Sequence, residues 1–219
     1  MRVPGMKVSV VVPVKDGAAH LAAALASLLE GARPPDELVV VDDHSADGSA
    51  EIARGLGATV VTSHGRGPAA ARNTGVAASA GELVGFLDAD DVATPDRLRI
   101  QAGLLEADAA ADIAAGLARQ VQDPAGPAVA PALHTFTAGT LLLRRRTWER
   151  VGDLDETLVA GELVDWVARA RRLDVRWVRH DDVVLLRRVH DANHSGSERA
   201  RAGYLDLARA AIRRSRAQP

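Results

Sequence analysis

Cysteine is absent from this chain of 219 residues, and aromatic residues make up only 3% of it. The lack of cysteine excludes disulfide bonds, thiolate metal sites and cysteine nucleophiles, and it suits a reducing compartment. No uncharged apolar run reaches the roughly 18 residues that a membrane-spanning helix requires. The apolar run near the N-terminus is too short for the core of a signal peptide. From these absences we expect a cytoplasmic protein.

A strong charge of either sign is lacking as well. Lys and Arg number 27 and Asp and Glu number 29, so the formal net charge is −2 with His neutral. We therefore expect no nucleic-acid partner, because such partners favour a strongly basic surface. Apolar residues make up 47% of the chain, which is enough for a buried core and excludes disorder as the main state.

Strand and helix patterns alternate along the first half of the chain. Buried β-branched runs predict strands at residues 8–14, 37–41, 58–62 and 82–87. Helical spacing and end signals predict helices at 18–29, 48–55, 69–79 and from an N-cap at Thr94 to about residue 105. This alternation is typical of an α/β fold with a Rossmann-like, doubly wound, mostly parallel sheet and helices on both faces.

A stretch with three prolines at residues 123–131 divides the chain into two functional halves, about 1–122 and about 132–195, of a single domain over 1–219. In the second half the patterns predict strands at 139–144 and 183–188 and helices at 146–151 and 161–173. The Arg-rich C-terminal segment, about 196–219, is expected to form a helix that packs on the domain. A helix lying on a membrane surface is the alternative, and its narrow apolar stripe counts against it.

Two clusters of acidic residues follow predicted strands. They are Asp42, Asp43 and Asp47 after the second strand, and Asp88, Asp90 and Asp91 after the fourth. Ligands of an open parallel sheet bind outside the carboxyl ends of its strands, so we expect a binding site here. A divalent cation or donors on a ligand would relieve the repulsion between these carboxylates. Taken singly, acids such as Asp42, Asp47 and Asp91 fit equally well as caps of the next helix.

The chemistry of these acids favours a phosphate-bearing substrate. Hard carboxylate oxygens suit Mg²⁺ or Mn²⁺, and such ions complete their coordination with substrate phosphates, so we expect a diphosphate. The first strand leads into residues 13–17 and lacks GxGxxG, which disfavours dinucleotide binding. The GxxxxGK[ST] signature of a P-loop is absent from the sequence.

Several segments of the chain resemble, in order and spacing, the family 2 glycosyltransferases. They are VSVVVPVKDGAAHLAAALASLL, LVVVDDHSADGS, GPAAARNTGVAASAGELVGFLDADD and TPDRL, continued by GTLLLRRRTWERVGDLDETL and LLRRVHDANHS. The resemblance implies a GT-A fold, with the nucleotide-sugar-binding half first and the acceptor and catalytic half second. It also implies inverting transfer of a sugar from a nucleotide-diphospho-sugar, most consistent with a UDP-sugar, to an acceptor hydroxyl, with Mn²⁺ or Mg²⁺ as cofactor. The acceptor itself is not indicated.

The resemblance also assigns site residues by their position in the family motifs. Nucleotide-sugar contacts fall to Pro13, Val14, Asp16, Asp42, Asp43, Arg72, Asp88, Ala89, Gly139, Trp166 and Arg188. Metal contacts fall to Asp90 first, then to Asp91 and His190. Within this set Asp43 is expected to accept a hydrogen bond from a uracil N–H, and Trp166 to stack on the sugar. Gly139 would leave room for the donor sugar, although a packing role fits this glycine equally well.

Sugar transfer also needs a carboxylate that accepts the proton of the attacking hydroxyl. In many family members it is the Asp of a Glu-Asp pair at the start of a helix, but here Leu163 stands at that position. We expect Glu162 to be the base, with Asp165 as the alternative on the same helix face; Glu162 would equally well stabilise only the helix N-terminus. Leu163 also keeps open a nucleotide-sugar-binding protein without transfer activity. A sugar nucleotidyltransferase is a third hypothesis, disfavoured because residues 14–17 make a poor phosphate loop.

Overall fold

The run of buried valines near the N-terminus forms a central strand of the sheet. The structure is a computed structural model that describes residues 5–135 and 137–189. In this part of the chain the strands are β1 (Val8–Val14), β2 (Glu37–Asp42), β3 (Thr59–Thr62), β4 (Leu83–Phe86), β5 (Val92–Ala93), β6 (Ile113–Val121), β7 (Leu141–Arg144) and β8 (Trp177–Arg188). The helices are α1 (Ala18–Leu29), α2 (Ser49–Gly55), α3 (Pro68–Ala77), α4 (Arg97–Ala107), α5 (Arg145–Val151) and α6 (Glu162–Arg172), and a 3₁₀ turn spans Ala138–Thr140.

All the strands belong to one sheet with the order β3-β2-β1-β4-β7-β6-β8-β5. The pairs β1–β2, β1–β4, β2–β3 and β6–β8 are parallel. The pairs β4–β7, β6–β7 and β5–β8 are antiparallel. The expected α/β fold with a mostly parallel, Rossmann-like sheet is therefore confirmed.

Two apolar cores cover the two faces of this sheet. Alternate residues of a strand point to opposite faces, so Val10 of β1 belongs to one core and Val11 to the other. The first core includes residues of α1, α2 and α4, and the second includes residues of α3, α5 and α6. Helices therefore cover both faces, as the sequence predicts. None of the described helices is long and apolar enough to cross a membrane.

The start of α4 differs from the prediction. We expect an N-cap at Thr94 from the sequence, but α4 begins at Arg97. Thr94 donates its hydroxyl to the carbonyl of Val183 at 2.8 Å and its N–H to the carbonyl of Val184 at 3.1 Å. The capping prediction is wrong, because the residue that precedes α4 is Asp96 and the Thr94 side chain binds β8 instead.

Two strands have no counterpart among the sequence predictions. β6 contains Ala114, Ala115 and Gly116, which lack the β-branched side chains that mark a strand, and β5 is only two residues long. The strand expected at 139–144 begins at Leu141, because the 3₁₀ turn precedes it. The C-terminal helix that we predict lies outside the described residues.

Candidate functional site

The candidate site lies at the carboxyl ends of β1, β2 and β4. Along the chain, β2 and β3 extend the sheet on one side of β1, and β4 then pairs on its other side. This reversal makes the carboxyl ends of β1 and β4 a topological switch point, which is where open α/β sheets bind ligands. Both acid clusters expected from the sequence follow strands that end at this edge.

Asp16 and two acids of the first cluster, Asp42 and Asp47, shape the loops after β1 and β2. Asp16 Oδ1 accepts the N–H of Ala46 at 2.8 Å, and Asp42 Oδ1 accepts the N–H of Ser45 at 2.9 Å. Asp47 accepts the N–H of Ala18, the first residue of α1, at 2.9 Å. The Ser49 hydroxyl bond, followed by that from Ala18, lowers the pKa of Asp47 below its ordinary value. These bonds give Asp16, Asp42 and Asp47 a part in shaping the loops, and the nucleotide contacts expected of Asp16 and Asp42 stay predictions.

Asp43 differs from these three acids in its surroundings. Its N–H donates to the carbonyl of Val14 at 2.8 Å, and its Oδ2 accepts the N–H of Gly67 at 2.8 Å. The side chain is buried, and Oδ1 has no hydrogen-bond partner. A buried acceptor without a donor is costly, so Oδ1 is suited to receive an N–H from a ligand. The glycine-rich segment with Gly67 gives only a turn signal in the sequence, so its contact with Asp43 was missed.

Arg72, on α3, joins two parts of the site. Its Nη2 contacts Asp88 Oδ1 at 2.6 Å, and its Nη1 contacts Glu162 Oε1 at 2.8 Å. Burial alone would lower the pKa of Arg72, but the charges of Asp88 and Glu162 outweigh it and raise this pKa above its ordinary value. The ion pairs therefore place the acid cluster after β4 and the start of α6 around one guanidinium group.

The residues after β4, from Asp88 to Asp91, form what we call the acid loop. Asp91 is only 3% exposed and accepts the N–H of Arg188 at 2.9 Å. The Arg188 side chain donates Nε–H to the carbonyl of Asp90 at 3.1 Å. Burial, together with the charges of Asp88 and Asp90, raises the pKa of Asp91 to about 8.

This concentration of negative charge suits a divalent cation. Carboxylate oxygens are the donors that Mg²⁺ and Mn²⁺ prefer, and a cation would oppose the repulsion that raises the Asp91 pKa. Asp90 and Asp91 therefore fit as ligands. Within residues 5–135 and 137–189, no three His, Asp or Glu side chains already surround a common cation position. His190, the third expected ligand, lies outside the described residues.

The two candidate bases on α6 have different partners. Glu162 is paired with Arg72, whereas Asp165 Oδ2 accepts Nε–H of Arg169 at 2.9 Å. Arg169 also donates to the carbonyls of Val151 and Asp153, both at 2.7 Å. Asp165 and Arg169 therefore connect α6 with the end of α5, whereas Glu162 is the carboxylate that contacts Arg72 of the candidate site. Leu163 is buried in the core.

The stacking role expected for Trp166 is wrong. Its side chain is fully buried, lies against Trp148 with ring centroids 5.5 Å apart, and donates Nε1–H to the carbonyl of Gly152 at 2.8 Å. A fully buried indole offers no face to a sugar. The hydrophobic spacing of α6 places Trp166 on the face of the helix that packs into the core, and this spacing is the sequence signal against a sugar-stacking role.

Four other residues are expected from the sequence to contact the nucleotide-sugar, and packing explains two of them. Val14 is buried in the core, so only its carbonyl reaches the site, through Asp43. A Cβ on Gly139 would lie 2.9 Å from side-chain atoms of Leu185, so this glycine allows close packing against β8. Pro13 and Ala89 are half-buried at the carboxyl ends of β1 and β4.

The mixed sheet with helices on both faces, and a site at its switch point, define a GT-A fold. The sequence matches the family described as "Glycosyl transferase family 2" over residues 9–150. The chain therefore belongs to glycosyl transferase family 2, as its motifs predict.

Individual relatives agree with this membership. The chain is 45% identical to the succinoglycan biosynthesis protein ExoU of Rhizobium meliloti over 98 residues, 42% of this chain and 28% of that protein. It is 27% identical to the glycosyltransferase AglE of Haloferax volcanii over 186 residues, 74% of this chain and 60% of that protein. The chain thus matches less than two thirds of the length of these relatives.

Solved structures support the fold. Residues 1–349 of S. aureus TarS in complex with UDP-GlcNAc superpose with a TM-score of 0.74 at 23% identity, covering 88% of this chain and 61% of that one. The mannosyltransferase PcManGT from Pyrobaculum calidifontis, in complex with GDP-Man and Mn²⁺, superposes with a TM-score of 0.73 at 21% identity, covering 94% and 65%. The expected GT-A fold is confirmed.

Proposed function

We propose that the protein is an inverting glycosyltransferase that moves a sugar from a UDP-sugar to an acceptor hydroxyl with the help of Mn²⁺ or Mg²⁺. The observation that carries this proposal is the pair of contacts made by Arg72. One guanidinium group holds Asp88, next to the expected metal ligands, and Glu162, the expected base. The groups that we propose to bind the donor and to accept the proton therefore share one guanidinium partner.

Recognition of the nucleotide falls to Asp43. Its unpartnered, buried Oδ1 is suited to the imide N–H of uracil, while Oδ2 is already held by Gly67. Two structurally similar proteins support a nucleotide-sugar donor, because TarS is seen in complex with UDP-GlcNAc and PcManGT in complex with GDP-Man. The carboxylate favours uracil or another base that presents an imide-type N–H at its edge, and it disfavours cytosine, whose ring nitrogen at that edge is an acceptor; uracil is the base that we propose.

The remaining residues account for the transfer step. The acceptor oxygen attacks the anomeric carbon from the side opposite the diphosphate, and the bond from that carbon to the diphosphate oxygen breaks. Glu162 accepts the hydroxyl proton on Oε2, since Oε1 is held by Arg72. A divalent ion bound by Asp90 and Asp91 would neutralise charge on the diphosphate. Arg72 keeps Glu162 oriented.

The first test is calorimetric titration of UDP, GDP, TDP and CDP into the protein with and without Mn²⁺. The proposal expects Mn²⁺-dependent binding with a preference for UDP. Asp43→Asn is the matched variant, because its amide oxygen still accepts the Gly67 N–H while its NH₂ opposes the base N–H. It is expected to lose the preference for UDP and keep its fold. Absence of binding by all four diphosphates would refute the proposal.

Leu163 favours a second candidate, a nucleotide-sugar-binding protein without transfer activity, because the position of the usual base is apolar and buried. Product analysis separates the candidates. A transferase releases the nucleoside diphosphate, whereas a binding protein shows nucleotide affinity without turnover on any acceptor. Release of pyrophosphate would instead indicate a nucleotidyltransferase.

A further inference from the structure

Arg97 is a buried positive charge that the proposed mechanism does not use. It is the first residue of α4, and its side chain is 1% exposed. Its Nη2–H donates to the carbonyl of Phe86 at 2.8 Å, and its Nε–H to Gln101 Oε1 at 3.4 Å. No carboxylate of the described residues pairs with it, and Nη1 has no hydrogen-bond partner. A cation in such surroundings requires compensation from elsewhere.

The compensating negative charge comes from the acid loop. Burial lowers the pKa of Arg97 to about 10, and the charges of Asp88 and Asp91 act against this fall. Asp88 and Asp91 follow closely after the Phe86 carbonyl to which Arg97 donates, so they lie in the segment that this guanidinium group holds. Because the attraction between these opposite charges is mutual, the buried charge of Arg97 partly offsets the negative charge that the acid loop presents to a ligand.

Arg97 also lies where it supports the acid loop mechanically. The Phe86 carbonyl that it binds ends β4, two residues before Asp88. Its partner Gln101 donates Nε2–H to the carbonyls of Ala114 at 3.2 Å and Thr140 at 2.8 Å. The pair thus connects the end of β4 with β6 and with the 3₁₀ turn. Arg97 Nη2–H also donates to the carbonyl of Leu141 at 3.4 Å, so the guanidinium group is held by the ends of two strands and by Gln101.

We propose that Arg97 is a positioning residue whose fixed, buried charge supports the acid loop and strengthens binding of the donor diphosphate. This inference rests on the proposed function, because it needs a diphosphate at the acid loop. The three carboxylates of the loop are opposed by two buried guanidinium groups, those of Arg72 and Arg97. Loss of Arg97 leaves a more negative site, which repels an anionic ligand.

The test uses Arg97→Gln, which keeps a donor for the Phe86 carbonyl and removes the charge. Arg144→Gln is a matched control, because Arg144 is also buried and donates to the carbonyls of Leu105 and Ala111. The charges near Arg144 belong to other parts of the chain, and none is in the acid loop. Both variants lose a buried guanidinium group, but only Arg97→Gln loses one that supports the acid loop.

The measurement is the affinity for UDP in the presence of saturating Mn²⁺, together with a melting curve for each variant. Arg97→Gln is expected to bind UDP about tenfold more weakly, the size of effect that one nearby charge gives at an effective dielectric constant of about 20. Arg144→Gln loses the same number of positive charges, and its affinity for UDP is expected to stay within about twofold of the wild type. Arg97→Lys, which restores a charge, should recover part of the affinity at mildly acidic pH, where a buried lysine keeps its proton.

Two results would overturn the inference alone. In the first, the wild type binds UDP and Arg97→Gln binds it as well as Arg144→Gln does. In the second, Arg97→Lys is folded but binds no better than Arg97→Gln, which would leave no role for the charge. If Arg97→Gln does not fold, the UDP affinity of Arg97→Lys is compared with that of the wild type and that of Arg144→Gln. An affinity of Arg97→Lys tenfold below both would overturn the inference, because the charge would be present without its effect. A wild type that binds no nucleoside diphosphate would remove the proposed function as well.

Discussion

Replacing Arg72 by Met should destabilise the protein strongly, because it removes the partner of two carboxylates at once. Met keeps most of the length of the side chain and lacks the guanidinium group. The Glu162 side chain is 13% exposed and that of Asp88 is 33% exposed. Glu162 would therefore be left as a buried charge with no partner, whereas water would partly screen Asp88.

The magnitude follows from these exposures. Removing one member of a buried ion pair typically costs about 3–5 kcal/mol, because the other charge stays uncompensated. The part due to Asp88 is smaller, about 1 kcal/mol or less, because that pair is more accessible to solvent. For a chain of this size about 4 kcal/mol corresponds to a fall of roughly 10 °C in Tm. Urea denaturation followed by circular dichroism measures the loss directly.

A second variant separates the ion pair from packing. In Arg72→Met combined with Glu162→Leu the whole buried pair is apolar, so about half or more of the lost stability should return. Arg99→Met serves as the control, because the Arg99–Asp96 pair is more than half exposed at both ends and should contribute less than about 1 kcal/mol. A loss for Arg72→Met as small as that for Arg99→Met, or no recovery in the double variant, would refute the reasoning.

Three further predictions concern the acids of the site. Glu162→Gln should keep UDP affinity within about twofold and lower turnover by about 10²–10⁴-fold, whereas Asp165→Asn should stay active; the reverse pattern would show that Asp165 is the base. Asp90→Ala should abolish the Mn²⁺ dependence of UDP binding in calorimetry without changing the melting curve, and unchanged Mn²⁺ dependence would contradict the metal assignment. The pKa of Asp91 is raised from 3.8 to about 8 in the folded protein. Without a divalent cation the folded protein therefore binds a proton at Asp91 more tightly than the unfolded chain does, and stability is lost as the pH rises from about 4 to about 8. Asp91→Asn should remove this loss and unfold at higher urea concentration than the wild type near pH 8, by up to about 6 kcal/mol; equal stability at that pH would contradict the raised pKa.

The strands and their acids were predictable because local sequence determines both. Buried strands in a parallel sheet are continuous β-branched runs, and β1 and β2 show this pattern without interruption. The strand ends then fix the position of the acids, since the carboxyl ends of parallel strands meet at one edge. β6 escaped prediction because Ala114, Ala115 and Gly116 carry no such signal, and the pairing of Ala114 and Ala115 with β7 and β8 is visible only in the folded sheet.

Side-chain roles in the site were harder to predict than positions. Trp166 follows the candidate base in sequence, but the helical period turns it into the core, against Trp148. Arg97 has no sequence signal beyond the motif TPDRL, because its importance depends on burial and on carbonyls from distant elements. Partners that come from far along the chain, such as Arg72 for Glu162, appear only in three dimensions.

The acids at the switch point fall into two groups according to their hydrogen-bond donors, and this division limits what each can do. Asp16, Asp42 and Asp47 accept backbone N–H groups from the loops after β1 and β2, and none of the three has a buried oxygen without a donor. Asp43 is held by one oxygen and has a second, buried oxygen without a donor. A ligand that supplies an N–H there gains a hydrogen bond and removes the cost of an unsatisfied buried acceptor at the same time. Loss of the nucleotide preference in Asp43→Asn, together with its retention in Asp42→Asn, would be the signature of this difference.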